Sequence, residues 1–137
     1  MELTKILDMS ATSTPALVSG SYGSNDTDGT PYGRPRSTLI HVTTTGKAAT
    51  AVTAVKFKIM GSRTGATGTW VPLRCVRSGD ASGTVAVEHS VAVTASTVTY
   101  DGIATEETRD WPFIRVEAKS VTADAAGADA CAAWVLL

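Results

Sequence analysis

The sequence predicts an all-β protein, an antiparallel jelly-roll-like β-sandwich with an extended N-terminal arm. Three observations carry this. From Thr38 onward, apolar and polar residues alternate with a period of two in one short segment after another, the pattern of strands with one face in a core and one in water. Turn residues, glycine above all, separate these segments, and no stretch keeps the 3.6-residue period of a helix. Thr occurs 21 times and Val 14 times in 137 residues; branching at the β-carbon suits a pleated surface, so the composition points the same way.

Residues 1–37 read as the arm. The piece SGSYGSNDTDGTPYGRPRS, Ser19 to Ser37, is dense in Gly, Pro, Ser, Asn and Asp and has no apolar period, which is loop chemistry. It exceeds the roughly 12–15 residues above which loops inside compact domains become uncommon. A short strand around Ala16 to Val18 is expected before it.

Residues 38–137 read as the sandwich. TLIHVTTT puts Ile40 and Val42 on one face, and AVKFKI sets Val55, Phe57 and Ile59 against Lys56 and Lys58. WVPLRCV sets Val71, Leu73 and Cys75 against Arg74; Pro72 cannot donate to a ladder, which puts this strand at an edge or a bulge. TVAVEHSVAV turns Val85, Val87, His89, Val91 and Val93 inward, and TVTY follows. IATEETRD, Ile103 to Asp110, holds at most one helical turn. PFIRVEAKSV sets Ile114, Val116 and Ala118 against Arg115, Glu117 and Lys119. The final CAAWVLL is apolar at every position and is expected to be covered on both sides. The total is seven or eight strands, a number that suits a jelly roll.

A chain of 137 residues fits one domain and buries enough surface for a core without metal or disulfide. Its net charge of −1 offers no basic stripe for nucleic acid and no attraction to an anionic membrane. No run approaches the roughly 20 apolar residues of a spanning helix. MELTKILDM lacks the apolar run of a signal peptide, so a cytosolic site of synthesis is expected. Charged residues make up 18%, below the roughly 25% of ordinary domains, which predicts an exterior partly covered by neighbouring subunits.

The stretch KFKIMGSRTGATGTWVPLRCV, Lys56 to Val76, carries Gly61, Gly65 and Gly68. A phosphate loop needs GxxxxGK[ST] opening a helix. Here Trp70 and another strand follow, so the glycines read as the bend between strands. NDTDGT, Asn25 to Thr30, begins like a calcium loop, but the twelfth position from Asp26 is Ser37 rather than glutamate. His41 and His89 have no second metal-type ligand at strand or helix spacing, and His89 falls where a buried, hydrogen-bonded histidine sits. There is no GxSxG elbow, and nothing marks Cys75 as an activated thiol. Cys75 and Cys131 lie in no CxxC pair and read as buried free thiols, with a disulfide as the alternative.

Asp101, Glu106, Glu107 and Asp110 cluster around Trp111. Paired carboxylates suit glycoside hydrolysis, yet these sit in a connection beside Arg109 and read as a solvated turn. No catalytic residue, cofactor site or metal site is assigned. Trp70, Trp111, Tyr22, Tyr32 and Tyr100 are of the type that stacks on sugars, so a carbohydrate-binding module is the alternative function; Trp134 reads as core.

VKFKIMGSRTGATGTWVPL is a strand, a glycine turn and a tryptophan opening the next strand. WPFIRVEAKSVTADAAGADACAAWVLL is a strand, a small-residue turn and a C-terminal apolar strand. Together they resemble small β-sandwich proteins of tailed-phage virions, chiefly head decoration or cement proteins and some neck or tail components. The likeness covers Val55 to Leu137. It implies a non-enzymatic structural protein, made in the host cytoplasm and carried in the virion, without cofactors or catalytic residues. Its implied partners are the major capsid protein or other virion proteins, and its implied state is a homo-oligomer, with a trimer favoured. Binding that exists only in the assembled shell stabilises that shell by mass action. In the arm, Tyr22, Tyr32, Arg34 and Arg36 are residue types favoured at interfaces and are the expected partner-binding residues.

Overall fold

The computed structural model describes residues 3–25, 29–31, 38–48, 53–105, 111–121 and 130–136. Among them every regular element is a strand: β1 (Leu3–Ser10), β2 (Thr30–Pro31), β3 (Thr38–Thr45), β4 (Ala54–Ser62), β5 (Val71–Pro72), β6 (Val76–Arg77), β7 (His89–Ala92), β8 (Val98–Thr105), β9 (Phe113–Ser120) and β10 (Ala130–Leu136). The first sheet has the order β1-β10-β3-β8-β6. The second has the order β2-β9-β4-β5, with β7 also paired to β4. Every pairing is antiparallel.

The inward faces read from alternation supply one shared core. Val55, Phe57 and Ile59 of β4, Ile114, Val116 and Ala118 of β9, Ile40 and Val42 of β3 and Ile103 of β8 are all buried. Each fully buried Val, Ile or Phe contributes about 1.5–3 kcal/mol relative to exposure. Both cysteines are free and buried within this cluster, and burial pushes the Cys131 thiol up to about 12.

The N-terminal arm expected over residues 1–37 is not what residues 3–25 form. Residues 3–10 are β1, an edge strand paired with β10 from Leu3↔Leu136 to Ser10↔Ala130. Ile6, Leu7 and Met9 lie in the core. The register slips between Lys5 and Leu7, so Ile6 is an extra residue. Such a bulge turns two successive side chains to one side, here Ile6 and Leu7 inward with Lys5 and Asp8 exposed. That break in the period of two hid the strand. Residues 11–25 then return along β9. Leu17 is buried, Ser120 donates its N–H to the Val18 carbonyl, and Gly23 exchanges two backbone hydrogen bonds with Ala118. The short strand expected at Ala16 to Val18 is therefore irregular chain. Asn25 finishes the segment: its side-chain amide donates to Asp8 O (3.0 Å) and accepts from Asp8 N (3.1 Å), closing the free edge of β1 at that residue.

Two other expectations shift. WVPLRCV divides after Pro72 into β5 and β6, and Pro72 sits at the edge, as its missing donor requires. TVAVEHSVAV is a strand only from His89 to Ala92. His89, Val91 and Val93 point inward, but Val85 and Val87 are exposed. Upstream, the Asp80 carboxylate accepts hydrogen bonds from Ser82 and Thr84 backbone N–H groups and winds the chain into a turn. The isolated Cys75–Ala86 bridge is this region's backbone pairing among the described residues. The segment Glu106 to Asp110, the rest of the expected helical turn, lies outside the described residues.

Candidate interaction face

The outer face of the first sheet is apolar where an outward face is usually polar. Leu3 pairs with Leu136, and Leu39 pairs with Ala104, giving one row across the sheet. The next row is Lys5, Trp134, His41 and Gly102, and the one after it Asp8, Ala132, Thr43 and Tyr100. Thr45 opposite Val98 follows. Leu3 is 50% exposed, Leu39 44%, Val98 44%, Tyr100 77% and Leu136 47%. Half of the large exposed hydrophobics among the described residues are thus on this face. Its charges are Lys5 and Asp8 at the β1 edge, already paired at 3.3 Å. Between Trp134 and Tyr100 the short side chains leave a groove of about 250 Å³, lined also by Leu3, His41, Val42, Thr43 and Asp101. The Lys5 ammonium covers one side of Trp134, 5.4 Å from the ring centre.

The second sheet's outer face is the opposite in character. Lys56 stands directly opposite Lys119, and Lys58 opposite Glu117. Like charges facing across strands are destabilising, and Tyr22 relieves this pair. Its ring lies 4.8 Å from the Lys119 ammonium and 4.3 Å from that of Lys58. Its hydroxyl donates to Glu88 Oε2, and Glu88 Oε1 meets Lys56 at 3.1 Å. Burial and the Glu88 hydrogen bond push the Tyr22 phenol well above its ordinary range. The same bond, with help from Lys56, holds the Glu88 carboxyl below the usual carboxylate range. Arg115 and Glu117 form a further pair at 2.5 Å. The charges on this face are satisfied within the chain.

Of the expected partner-binding residues, Tyr22 is therefore engaged in pinning residues 19–25 to the second sheet. Tyr32, Arg34 and Arg36 lie outside the described residues. The tryptophans considered for sugars are occupied too. Trp111 packs flat over Gly61, where an added Cβ would fall 2.6 Å from its ring, so Gly61 serves close approach rather than a bend. The Arg115 guanidinium lies 4.4 Å from the centre of the Trp70 ring, and Gly29 abuts that ring. The bend belongs to Gly65 and Gly68, both at positive φ. The Gly65 N–H is spent on Ser62 Oγ (2.9 Å), leaving no backbone cradle for a phosphate there.

His89 is buried with its Nε2 at 3.0 Å from the Ala86 carbonyl, while His41 is exposed on the apolar face. Asp101 is bound by Arg77 at 2.6 Å and by the backbone N–H of Gly79 at 2.9 Å. Desolvation raises its pKa, but these bonds, a third from Gly102 and the Arg77 charge outweigh that and hold it below the usual range. Glu106, Glu107 and Asp110 lie outside the described residues, as do 26–28 of NDTDGT. Among the described residues no three His, Cys, Asp or Glu side chains converge as a metal site would need, and no helix is long and apolar enough to cross a membrane.

Sequence reading named Tyr100 as a sugar-stacking type and Trp134 as core, but did not bring them together with Leu3, Leu39 and Leu136 on one face. The signal was in CAAWVLL, apolar at its outward positions as well as its inward ones. The expectation that it is covered on both sides is met in part: Cys131, Ala133 and Val135 are buried toward the core, and Ala132 is buried on the other side. On the other side Leu136 stays half exposed, and Trp134, read as core, is only half-buried. No protein family, curated protein or solved structure matches the chain. The likeness to tailed-phage virion proteins thus rests on the residue pattern alone.

Proposed function

We propose that this protein is a non-enzymatic virion structural protein, a capsid decoration or cement protein that binds and stabilises an assembled phage head through protein–protein contacts. The observation that carries the reading is the contrast between two outer faces, one charged and internally satisfied, the other rich in apolar side chains that no described residue covers. Contiguous exposed apolar surface marks a contact site. The strand order gives further support. β1-β10-β3-β8 opposite β2-β9-β4-β7 is the order obtained when eight antiparallel strands roll up as two Greek keys, so we take the two sheets to pack as a jelly-roll sandwich. That architecture serves both capsid and lectin domains, and a fold alone does not choose between them. What supports the capsid reading is the aliphatic share of the face, where Leu3, Leu39, Val98 and Leu136 are exposed beside Tyr100, His41 and the Lys5–Asp8 pair.

The test is sedimentation of purified protein with empty phage heads, followed by heating the shells with and without it. Co-sedimentation and a raised disassembly temperature are expected. Failure to bind shells, together with binding on a glycan array that is lost in Tyr100→Ala, would favour the runner-up, a carbohydrate-binding module using the groove between Trp134 and Tyr100.

A further inference from the structure

We infer that the outer face of the first sheet pairs with the same face of a second copy of this chain. The inference shares with the proposed function only the premise that this face is a protein contact, and it needs no virion. Four features favour a second copy as the occupant.

The first is extent. Four long strands at about 4.8 Å spacing and eight residues at about 3.3 Å each give a flat area near 500 Å². Two copies bury about twice that, the roughly 1,000 Å² at which a contact becomes a specific interface. The second is charge. Lys5 pairs with Asp8 at one edge, and Asp101, which lines the groove, pairs with Arg77, so two identical faces meet with these charges already paired within each chain. The third is shape. Antiparallel sheets stack face to face about 10 Å apart, and a twofold axis makes one such face complementary to itself. The tall Trp134 and Tyr100 flanking the groove would then seat beside the partner's lower Thr43 and Ala132 positions. The fourth is the edge. Asn25 occupies the Asp8 backbone groups, and Ser10 binds Ser13 Oγ and the Leu17 N–H. Side-by-side strand addition is thereby blocked along this half of β1, which favours stacking of faces there. A twofold contact of this kind makes dimers; the trimer implied by the phage likeness would need a different surface.

The experiment is sedimentation equilibrium on the full chain across protein concentration. The wild type is expected to rise from 14.2 kDa toward twice that mass with a midpoint in the micromolar range. Leu136→Glu and Leu39→Glu should shift the midpoint at least about tenfold upward. Tyr100→Asp, at a side chain too exposed to disturb folding, should do the same, with circular dichroism unchanged. Val71→Glu, on the second sheet, should leave the midpoint where it was. A wild type still monomeric at about 200 µM overturns the inference, as does an oligomer that survives all three face substitutions. Loss of shell binding with self-association intact would instead sink the virion reading alone.

Discussion

Removing residues 1–10 tests whether the chain start is an arm or a structural strand. The deletion takes Ile6, Leu7 and Met9 out of the core, at 5%, 1% and 1% exposure. At about 1.5–3 kcal/mol each, their burial is worth about 5–9 kcal/mol. The β10 edge it uncovers, with Cys131, Ala133 and Val135 behind it, loses its ladder partner as well. A domain of this size holds only about 5–15 kcal/mol in total, so the truncated chain should be largely unfolded. Urea denaturation followed by circular dichroism and tryptophan fluorescence reads this directly. The milder Leu7→Ala, which leaves β1 in place, should lower stability by about 2–5 kcal/mol with an unchanged slope. A truncated chain that unfolds cooperatively at the wild-type midpoint would refute the reasoning and return residues 1–10 to the status of an arm.

Phe57→Ala, at the centre of β4, should cost about 3–5 kcal/mol in the same assay. Gly61→Ala should cost about 1–3 kcal/mol, because the new methyl meets the Trp111 ring at 2.6 Å; a neutral result would mean the ring is not packed there. Tyr22→Phe keeps the ring between the lysines and removes the bond to Glu88, for a loss of about 1.5 kcal/mol at neutral pH. The Asp101 carboxyl is held below its unfolded value, so its contribution is present at neutral pH and is lost as pH falls through the folded pKa. Asp101→Asn should therefore lower the thermal midpoint at pH 7, with the gap to wild type closing in acid. Both thiols should resist alkylation until the protein unfolds, Cys131 because burial lifts it to about 12.

Much of the core was legible because alternation was undisturbed where one face is buried and the other wet. Val55, Phe57 and Ile59, and Ile114, Val116 and Ala118, are such runs, and both are where the pattern placed them. β1 was not legible, since the bulge at Ile6 puts two apolar side chains side by side and Gly- and Ser-rich chain follows. Val85 and Val87 misled for the converse reason. They alternate correctly, but the turn built on Asp80 gives them no strand to join. The apolar face escaped because it depends on four strands being neighbours. Leu3, Leu39, Tyr100 and Leu136 are far apart in sequence and form one surface only through the β1-β10-β3-β8 order. Tyr22 looked like a free interface residue and is held by Glu88 and two lysines, partners that no spacing rule connects to it.

The most direct measurement is hydroxyl-radical footprinting of the protein at low concentration and in its assembled form. The account predicts that Leu39, Tyr100, Trp134 and Leu136 become protected together on assembly while Val71 and Val85 react as before. Protection confined to the lysine-bearing sheet, with those four residues equally reactive in both forms, would contradict it.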